Sequence, residues 1–118
     1  MWQINAYKRT ILFRLFRWMD VVWIVWEPEA RTRKHDHGKS FGWVFAIHGM
    51  FFEIKNGKVF TARSPRLFFE LPTVPHIAGN NSMQQKSGSL HIYIPSLQMN
   101  FFEDSQADKE LLEKVSIS

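Results

Sequence analysis

The sequence contains no cysteine among its 118 residues. This absence excludes a disulfide framework and excludes thiolate ligation of zinc or of an iron–sulfur cluster. No N-terminal stretch has the basic, apolar and small-residue order of a secretory signal, and the most apolar run, residues 11–26, is interrupted by Arg14, Arg17 and Asp20. We therefore predict a cytoplasmic protein and do not expect a membrane partner.

Two common catalytic motifs are also missing. There is no Gly-x-Ser-x-Gly nucleophile elbow, and residues 37–40, His-Gly-Lys-Ser, contain only the tail of a phosphate-binding loop, without its upstream glycine. The sequence thus predicts no catalytic residue and no cofactor. Catalysis remains the less favoured alternative.

The length and net charge of the chain limit its domain organisation and its possible partners. A chain of 118 residues suits a single domain spanning 1–118, and its 15% aromatic content indicates a packed core. The net charge is +4, but residues 1–99 carry 13 Lys+Arg against 6 Asp+Glu, whereas residues 100–118 carry 2 against 5. A basic body attracts polyanions, and the acidic terminal segment either packs on that basic surface or keeps the chain in solution.

The clearest local pattern is a β-hairpin. Two runs rich in aromatic and β-branched residues, Met50–Lys55 and Lys58–Arg63, are joined by Asn56-Gly57, a dipeptide that tolerates the positive φ angles of a type I′ turn. A two-residue turn fixes the register and places Glu53 opposite Phe60. We expect the sheet to be organised around this hairpin.

Further strands and helices are predicted from the spacing of apolar residues and from the positions of turn-forming residues. Strands are predicted at residues 21–26, 43–47, 67–71 and 89–94, while residues 72–88 receive no assignment. Apolar residues between 5 and 19 recur at spacings of three and four, which predicts an amphipathic helix; a strand is the alternative. A second helix is predicted at 106–115, with Ser105 as N-cap and Asp108 in capping-box position.

Together these elements predict an α+β fold. It consists of a mainly antiparallel sheet of five or six strands, an N-terminal amphipathic helix and a short C-terminal helix docked on the sheet.

For function, a non-catalytic nucleic-acid-binding module is the first hypothesis. Aromatic side chains on an exposed sheet face can stack on bases while basic side chains meet phosphates. Residues 39–44 partly resemble the RNP1 signature of RNA-recognition motifs, although residues 22–24, the stretch that could act as the companion motif, lie too close for that family. The candidate binding residues are Arg31, Arg33, Lys34, Lys39, Phe41, Trp43 and Phe45.

The segment His35-Asp36-His37 offers potential metal ligands, but its basic neighbours favour a solvated loop, and no metal site is predicted beyond these three candidates. The other histidines are scattered singly. Glu53 and Glu70 are the only carboxylates within predicted strands, and we interpret Glu53 as a solvated edge residue, with a buried acid of raised pKa as the alternative.

The alternative function is a small accessory protein that acts through protein contacts or as a homo-oligomer. Such a role would use the aromatic surface or the segment 72–88.

Overall fold

A computed structural model of the chain describes residues 2–117. Within that range there are twelve strands, numbered in chain order, and one helix. The first sheet has five strands in the order β2-β3-β11-β6-β9: β2 (Tyr7–Leu15), β3 (Met19–Trp26), β11 (Ser87–Ile94), β6 (Phe41–His48) and β9 (Arg66–Glu70). The second has seven strands: β1 (Gln3–Ile4), β4 (Ala30–Arg31), β5 (His35–Asp36), β7 (Met50–Lys55), β8 (Lys58–Arg63), β10 (His76–Gly79) and β12 (Asn100–Phe101).

The predicted hairpin is confirmed. Strands β7 and β8 pair in the expected register, with Glu53 opposite Phe60 and Lys55 opposite Lys58. Asn56 and Gly57 have φ angles of 53° and 71°, as a type I′ turn requires. The preceding strand, β6, is also present, but it pairs with β11 and β9 in the five-stranded sheet.

The predicted N-terminal helix is wrong, because residues 7–15 form the edge strand β2. Its pairing with β3 shifts between Ile11 and Phe13, so Leu12 is a bulged residue. A one-residue bulge reverses the inward and outward alternation of a strand. The resulting phase break places apolar residues at spacings of three and four, which imitates a helical period.

The α+β prediction is therefore wrong: the described chain is two β-sheets with a single C-terminal helix, α1 (Gln106–Ile117). The unassigned segment 72–88 contains β10, a four-residue strand too short to be recognised from its own sequence. The capping box that begins α1 is confirmed, since Ser105 Oγ accepts a hydrogen bond from the Asp108 N–H at 3.1 Å.

The acidic terminal segment packs on the basic body, as one of the two sequence interpretations proposed. Arg31 pairs with Asp104 and Lys34 with Asp108, each at 2.8 Å. These two ion pairs hold the start of α1 against the strands that lead into the interior.

Two apolar clusters form the core. One lies between the sheets, around Val22, Ile24, Trp26, Ala46 and Phe51. The other lies under α1, where Leu112 and Val115 pack on Phe52, Ile54 and Ile77 of the seven-stranded sheet. Among residues 2–117 no helix has the length and apolar character needed to cross a membrane.

Candidate metal centre

Most histidines of the chain are buried between the two sheets. His35, His37, His76 and His91 are each at most 6% exposed, whereas His48 is exposed at the end of β6. Burying an imidazole removes it from water, so each buried ring nitrogen needs a partner inside the protein. The buried histidines therefore have to be accounted for by contacts inside the protein.

Three of these histidines converge on one point. His35 lies in β5, His37 directly follows that strand, and His76 begins β10, which pairs with β5 through His76 and His35. One ring nitrogen from each lies within 4.8 Å of the others. The Nε2 atoms of His37 and His76 are 3.2 Å apart.

Hydrogen bonds orient two of the three rings. His35 Nδ1 donates to the carbonyl oxygen of Arg33 at 2.6 Å, and His76 Nδ1 donates to Glu53 Oε2 at 2.8 Å. A histidine whose Nδ1 carries the proton in this way presents the lone pair of Nε2. Such bonds from the far ring nitrogen are the usual support of metal-ligating histidines.

The His37 ring has a nitrogen that lacks a hydrogen-bond partner. Its Nδ1 is buried and has no hydrogen-bond partner. If Nε2 of His37 donates to Nε2 of His76, the lone pair of Nδ1 is left without a donor; if it does not, two lone pairs face each other at 3.2 Å. A cation bound among the rings would attract both of the facing lone pairs and so remove their repulsion. The three histidines therefore fit a metal ion.

The imidazoles are available as neutral ligands. Burial, reinforced by the neighbouring histidines, lowers the pKa of His35 to about 4 and that of His37 to about 2. A metal competes with protons for the same lone pair, so a ring that is already neutral binds without that penalty at neutral pH.

A pair of buried carboxyl groups lies beside His76. Glu53 in β7 and Glu70 in β9 are 5% and 3% exposed, and Lys55 Nζ lies 3.2 Å from the first and 3.6 Å from the second. Burial and the adjacent Glu53 carboxylate raise the pKa of Glu70, so it is protonated at neutral pH. Burial opposes ionisation of Glu53, but hydrogen bonds from His76 and Glu70 outweigh it and lower its pKa.

The fourth buried histidine belongs to a separate chain of hydrogen bonds along β11. His91 Nε2 is 2.6 Å from Ser89 Oγ, and His91 Nδ1 is 2.9 Å from the Tyr93 hydroxyl. Trp26 Nε1 donates to Ser89 Oγ at 2.9 Å. The ring of Tyr93 in turn contacts that of His37, with centroids 5.2 Å apart, which connects this chain to the three converging histidines.

A small cavity of about 50 Å³ adjoins these groups. Its polar lining includes the four buried histidines, Glu53, Glu70, Tyr93 and Arg9, and its apolar walls include Ile24, Phe51 and Phe68. The space suits water or a small polar group rather than a large ligand.

The residues predicted to bind nucleic acid do not form one surface. Phe41 is exposed and Trp43 and Phe45 are half-buried on β6, in the five-stranded sheet. Arg31 is buried and paired with Asp104, Lys34 is paired with Asp108, and the Arg33 guanidinium lies 4.5 Å from the centroid of the Phe101 ring. Lys39 lies in the connection between β5 and β6.

Of the three predicted metal candidates, His35 and His37 lie in the candidate centre. Asp36 points elsewhere: its Oδ1 accepts hydrogen bonds from the N–H of Gly38 and from Asn100 Nδ2. The sequence interpretation of this segment as a solvated loop is wrong, since all three residues are buried. His76 was not recognised as a partner because its contacts with the segment join distant strands, and Glu70 was missed because it lies beside His76.

The interpretation of Glu53 as a solvated edge residue is also wrong. Its carboxylate is buried, and its pKa is lowered rather than raised. The only available signal was its place within a predicted strand, a position that Glu70 shares.

Solved structures share this arrangement of strands. They include a cupin-like protein from Thermotoga maritima, with a TM-score of 0.76 and 18% identity over 90% of this chain and 84% of that one. A protein with a double-stranded β-helix domain from Klebsiella pneumoniae has a TM-score of 0.73 and 17% identity over 85% and 87%. KdgF from a Halomonas species has a TM-score of 0.68 and 15% identity over 78% and 82%.

These similarities define the class of the protein: the chain has a cupin-like double-stranded β-helix fold. No protein-family model matches the sequence, and no curated protein does so either. The fold comes from structure alone, because the identities are below one in five.

The fold overturns the nucleic-acid hypothesis. The structural neighbours are cupin-like proteins. Two of the basic residues that were expected to contact phosphates, Arg31 and Lys34, are paired with carboxylates of the acidic terminal segment. The interpretation of this chain as a nucleic-acid-binding module is therefore wrong.

Proposed function

We propose that this protein binds a divalent transition-metal ion through His35, His37 and His76, and acts on or binds a small polar molecule in the adjoining cavity. The single observation that carries the proposal is the convergence of three buried ring nitrogens within 4.8 Å. Imidazole ligands suit zinc, iron, nickel and copper ions.

The support around these rings matches the roles that a metal site needs. Glu53 holds the orientation of His76, and the Arg33 carbonyl holds that of His35. Three protein ligands without a fourth from the same set are typical of catalytic sites, which keep a position for substrate, rather than of closed structural sites. A bound ion would supply Lewis-acid chemistry by polarising an oxygen of the bound molecule.

The remaining side chains give the cavity its acid–base capacity. Glu70 holds a proton beside the ionised Glu53, so it can donate that proton to a bound group. The apolar side chains in its walls lower the local dielectric constant and so strengthen electrostatic contacts within the cavity.

A second candidate function is proton transfer without a metal, by the group formed by Glu53, Glu70 and His76. It is favoured by the opposite displacement of the two carboxyl pKa values, a pattern found where one acid and one base share a site. This hypothesis predicts that the purified protein holds no tightly bound ion. A cytoplasmic location remains a prediction, and neither hypothesis depends on it.

Elemental analysis of untagged protein, purified without chelators, distinguishes the two. The metal proposal predicts about one equivalent of a transition metal, lost in His37→Ala and His76→Ala. The matched control is His48→Ala, because His48 is the exposed histidine outside the site. Wild-type protein that neither retains nor takes up any such metal would rule out the metal proposal and leave the metal-free one.

A further inference from the structure

The outward face of the five-stranded sheet is largely apolar. Along β3, Asp20, Val22, Ile24 and Trp26 are buried and face the interior, while the alternate residues are half-buried and face outward. These outward residues are Met19, Val21, Trp23 and Val25. A sheet with one solvated face normally alternates apolar with polar residues, and β3 does not.

The same apolar pattern continues across the neighbouring strands. One row of paired residues crosses the whole sheet: Phe13, Val21, Ile92, Trp43 and Phe69. The next row is almost as apolar: Thr10, Trp23, Leu90, Phe45 and Leu67. No outward position of the three inner strands β3, β11 and β6 carries a charged side chain, as their fully described sequences show. We call this surface the outer apolar face.

The two sheets differ in what covers them. The seven-stranded sheet buries its outward residues Phe52 and Ile54 under α1 and Trp2. Within residues 2–117 no element covers the outer apolar face, and it leaves Phe41, Phe69 and Ile94 between 41% and 43% exposed. The outer face of the seven-stranded sheet is thus covered by the helix, whereas that of the five-stranded sheet is not covered by any element within residues 2–117.

The size of the face matches half of a dimer interface. Five strands at about 4.8 Å spacing and about eight residues at about 3.3 Å rise cover roughly 600 Å² in projection. Because side chains project from the sheet, its accessible area is larger than this projection and approaches the roughly 800 Å² that each partner contributes to a standard interface. The largest apolar patch on a typical monomer is about 300–600 Å².

The chemistry of the face favours a second copy of this chain. An isologous interface sets each residue against the same surface, so charges on the inner strands would oppose like charges. The inner strands have none facing outward, and Lys8, opposite Val25, lies on the edge strand β2. A lipid surface would instead call for basic residues among the apolar ones, and the inner strands have none facing outward.

We propose that two copies of this chain pack their outer apolar faces together about a two-fold axis near Ile92. That residue lies on β11, the middle strand of the five, with Val21 and Trp43 on either side. Sheets packed in this way lie about 10 Å apart, with side chains of both copies interleaved.

Light scattering after size exclusion tests the proposal on the full chain. We expect a mass of twice 14.0 kDa at a protein concentration of about 100 µM. The same mass should be found after dilution well below that concentration. Phe41→Glu is expected to give the mass of one chain. Its matched control is Phe102→Glu, which changes an equally exposed phenylalanine, 41% in each case, away from the sheet and should remain dimeric. Wild-type protein with the mass of one chain, or a Phe41→Glu dimer, overturns the proposal.

A cross-linking measurement locates the axis without depending on a disruptive variant. The chain has no cysteine, so Ile92→Cys introduces its only thiol. Under mild oxidation we expect a disulfide-linked dimer at high yield from Ile92→Cys and little from the control Met83→Cys, whose native side chain is 66% exposed outside the sheet. Equal yields from the two variants, or a higher yield from the control, contradict a two-fold axis at Ile92.

Discussion

The Nε2 atoms of His37 and His76 lie 3.2 Å apart in the interior of the protein. Two imidazole nitrogens bound to one zinc ion at about 2.05 Å with tetrahedral geometry are about 3.3 Å apart. The spacing in the protein is therefore already that of two ligands of a common ion. The backbone brings the two rings close, because β10 pairs with β5 through His76 and His35, two residues before His37.

The two buried glutamates should respond differently to the same substitution. Glu70→Gln replaces a protonated acid by a neutral group of the same shape, so we expect the free energy of unfolding to change by less than about 1 kcal/mol at pH 7. Glu53→Gln removes the charge that faces His76 and Lys55 and should cost about 1–3 kcal/mol. Urea unfolding of chelator-treated protein measures both.

The order of these two effects is the decisive outcome. If Glu70→Gln destabilised the protein more than Glu53→Gln, the proton would lie on Glu53 and the assignment of acid and base would be reversed. The same pair tests metal support: Glu53→Gln should weaken metal binding about tenfold or more, because Glu53 orients His76.

The local features of the fold could be predicted from the sequence, and the long-range ones could not. The hairpin from Met50 to Arg63 and the capping box at Ser105 depend on residues within a few positions of each other, and both are confirmed. The strand β2 was missed because its bulge at Leu12 disguises the alternation of inward and outward residues.

The candidate metal centre shows the same limit. The His35-Asp36-His37 segment drew attention as a ligand pattern, yet its third histidine lies 39 residues after His37, in a segment that received no assignment. Only the pairing of β5 with β10 brings them together. Two of the basic neighbours that argued against a cation are paired with carboxylates, Lys34 with Asp108 and Arg31 with Asp104.

The buried Asp20 should make the folded state sensitive to acid. Burial alone would raise its pKa, but hydrogen bonds from Arg14 Nε at 2.8 Å and the Leu97 N–H at 3.0 Å outweigh it and lower the pKa. A carboxyl with a lowered folded pKa stabilises the protein above its unfolded pKa of about 3.9, and that contribution is lost as the pH falls through the folded value. We expect Asp20→Asn to cost about 1–3 kcal/mol at pH 7.

Unfolding curves of wild type and Asp20→Asn across the acidic range check this. The difference between the two proteins should shrink as the pH falls below about 4. A difference that is the same at neutral pH and well below that value would mean that the cost comes from packing and not from the ionised carboxylate.

The N-cap of α1 offers a test with a built-in control. Ser105→Ala removes the hydroxyl that accepts from the Asp108 N–H and should cost about 1 kcal/mol, whereas Ser105→Gly should cost only a few tenths. Thermal unfolding at fixed pH measures both. Equal losses in the two variants would contradict a capping role for the side chain.

The most direct test of the candidate metal centre is the metal content of untagged wild-type protein beside His37→Ala and His48→Ala, measured by elemental analysis after dialysis against a mixture of divalent transition metals. The proposal predicts about one bound ion in wild type and in His48→Ala and none in His37→Ala. Wild-type protein without bound metal, or His37→Ala with as much as wild type, would contradict it.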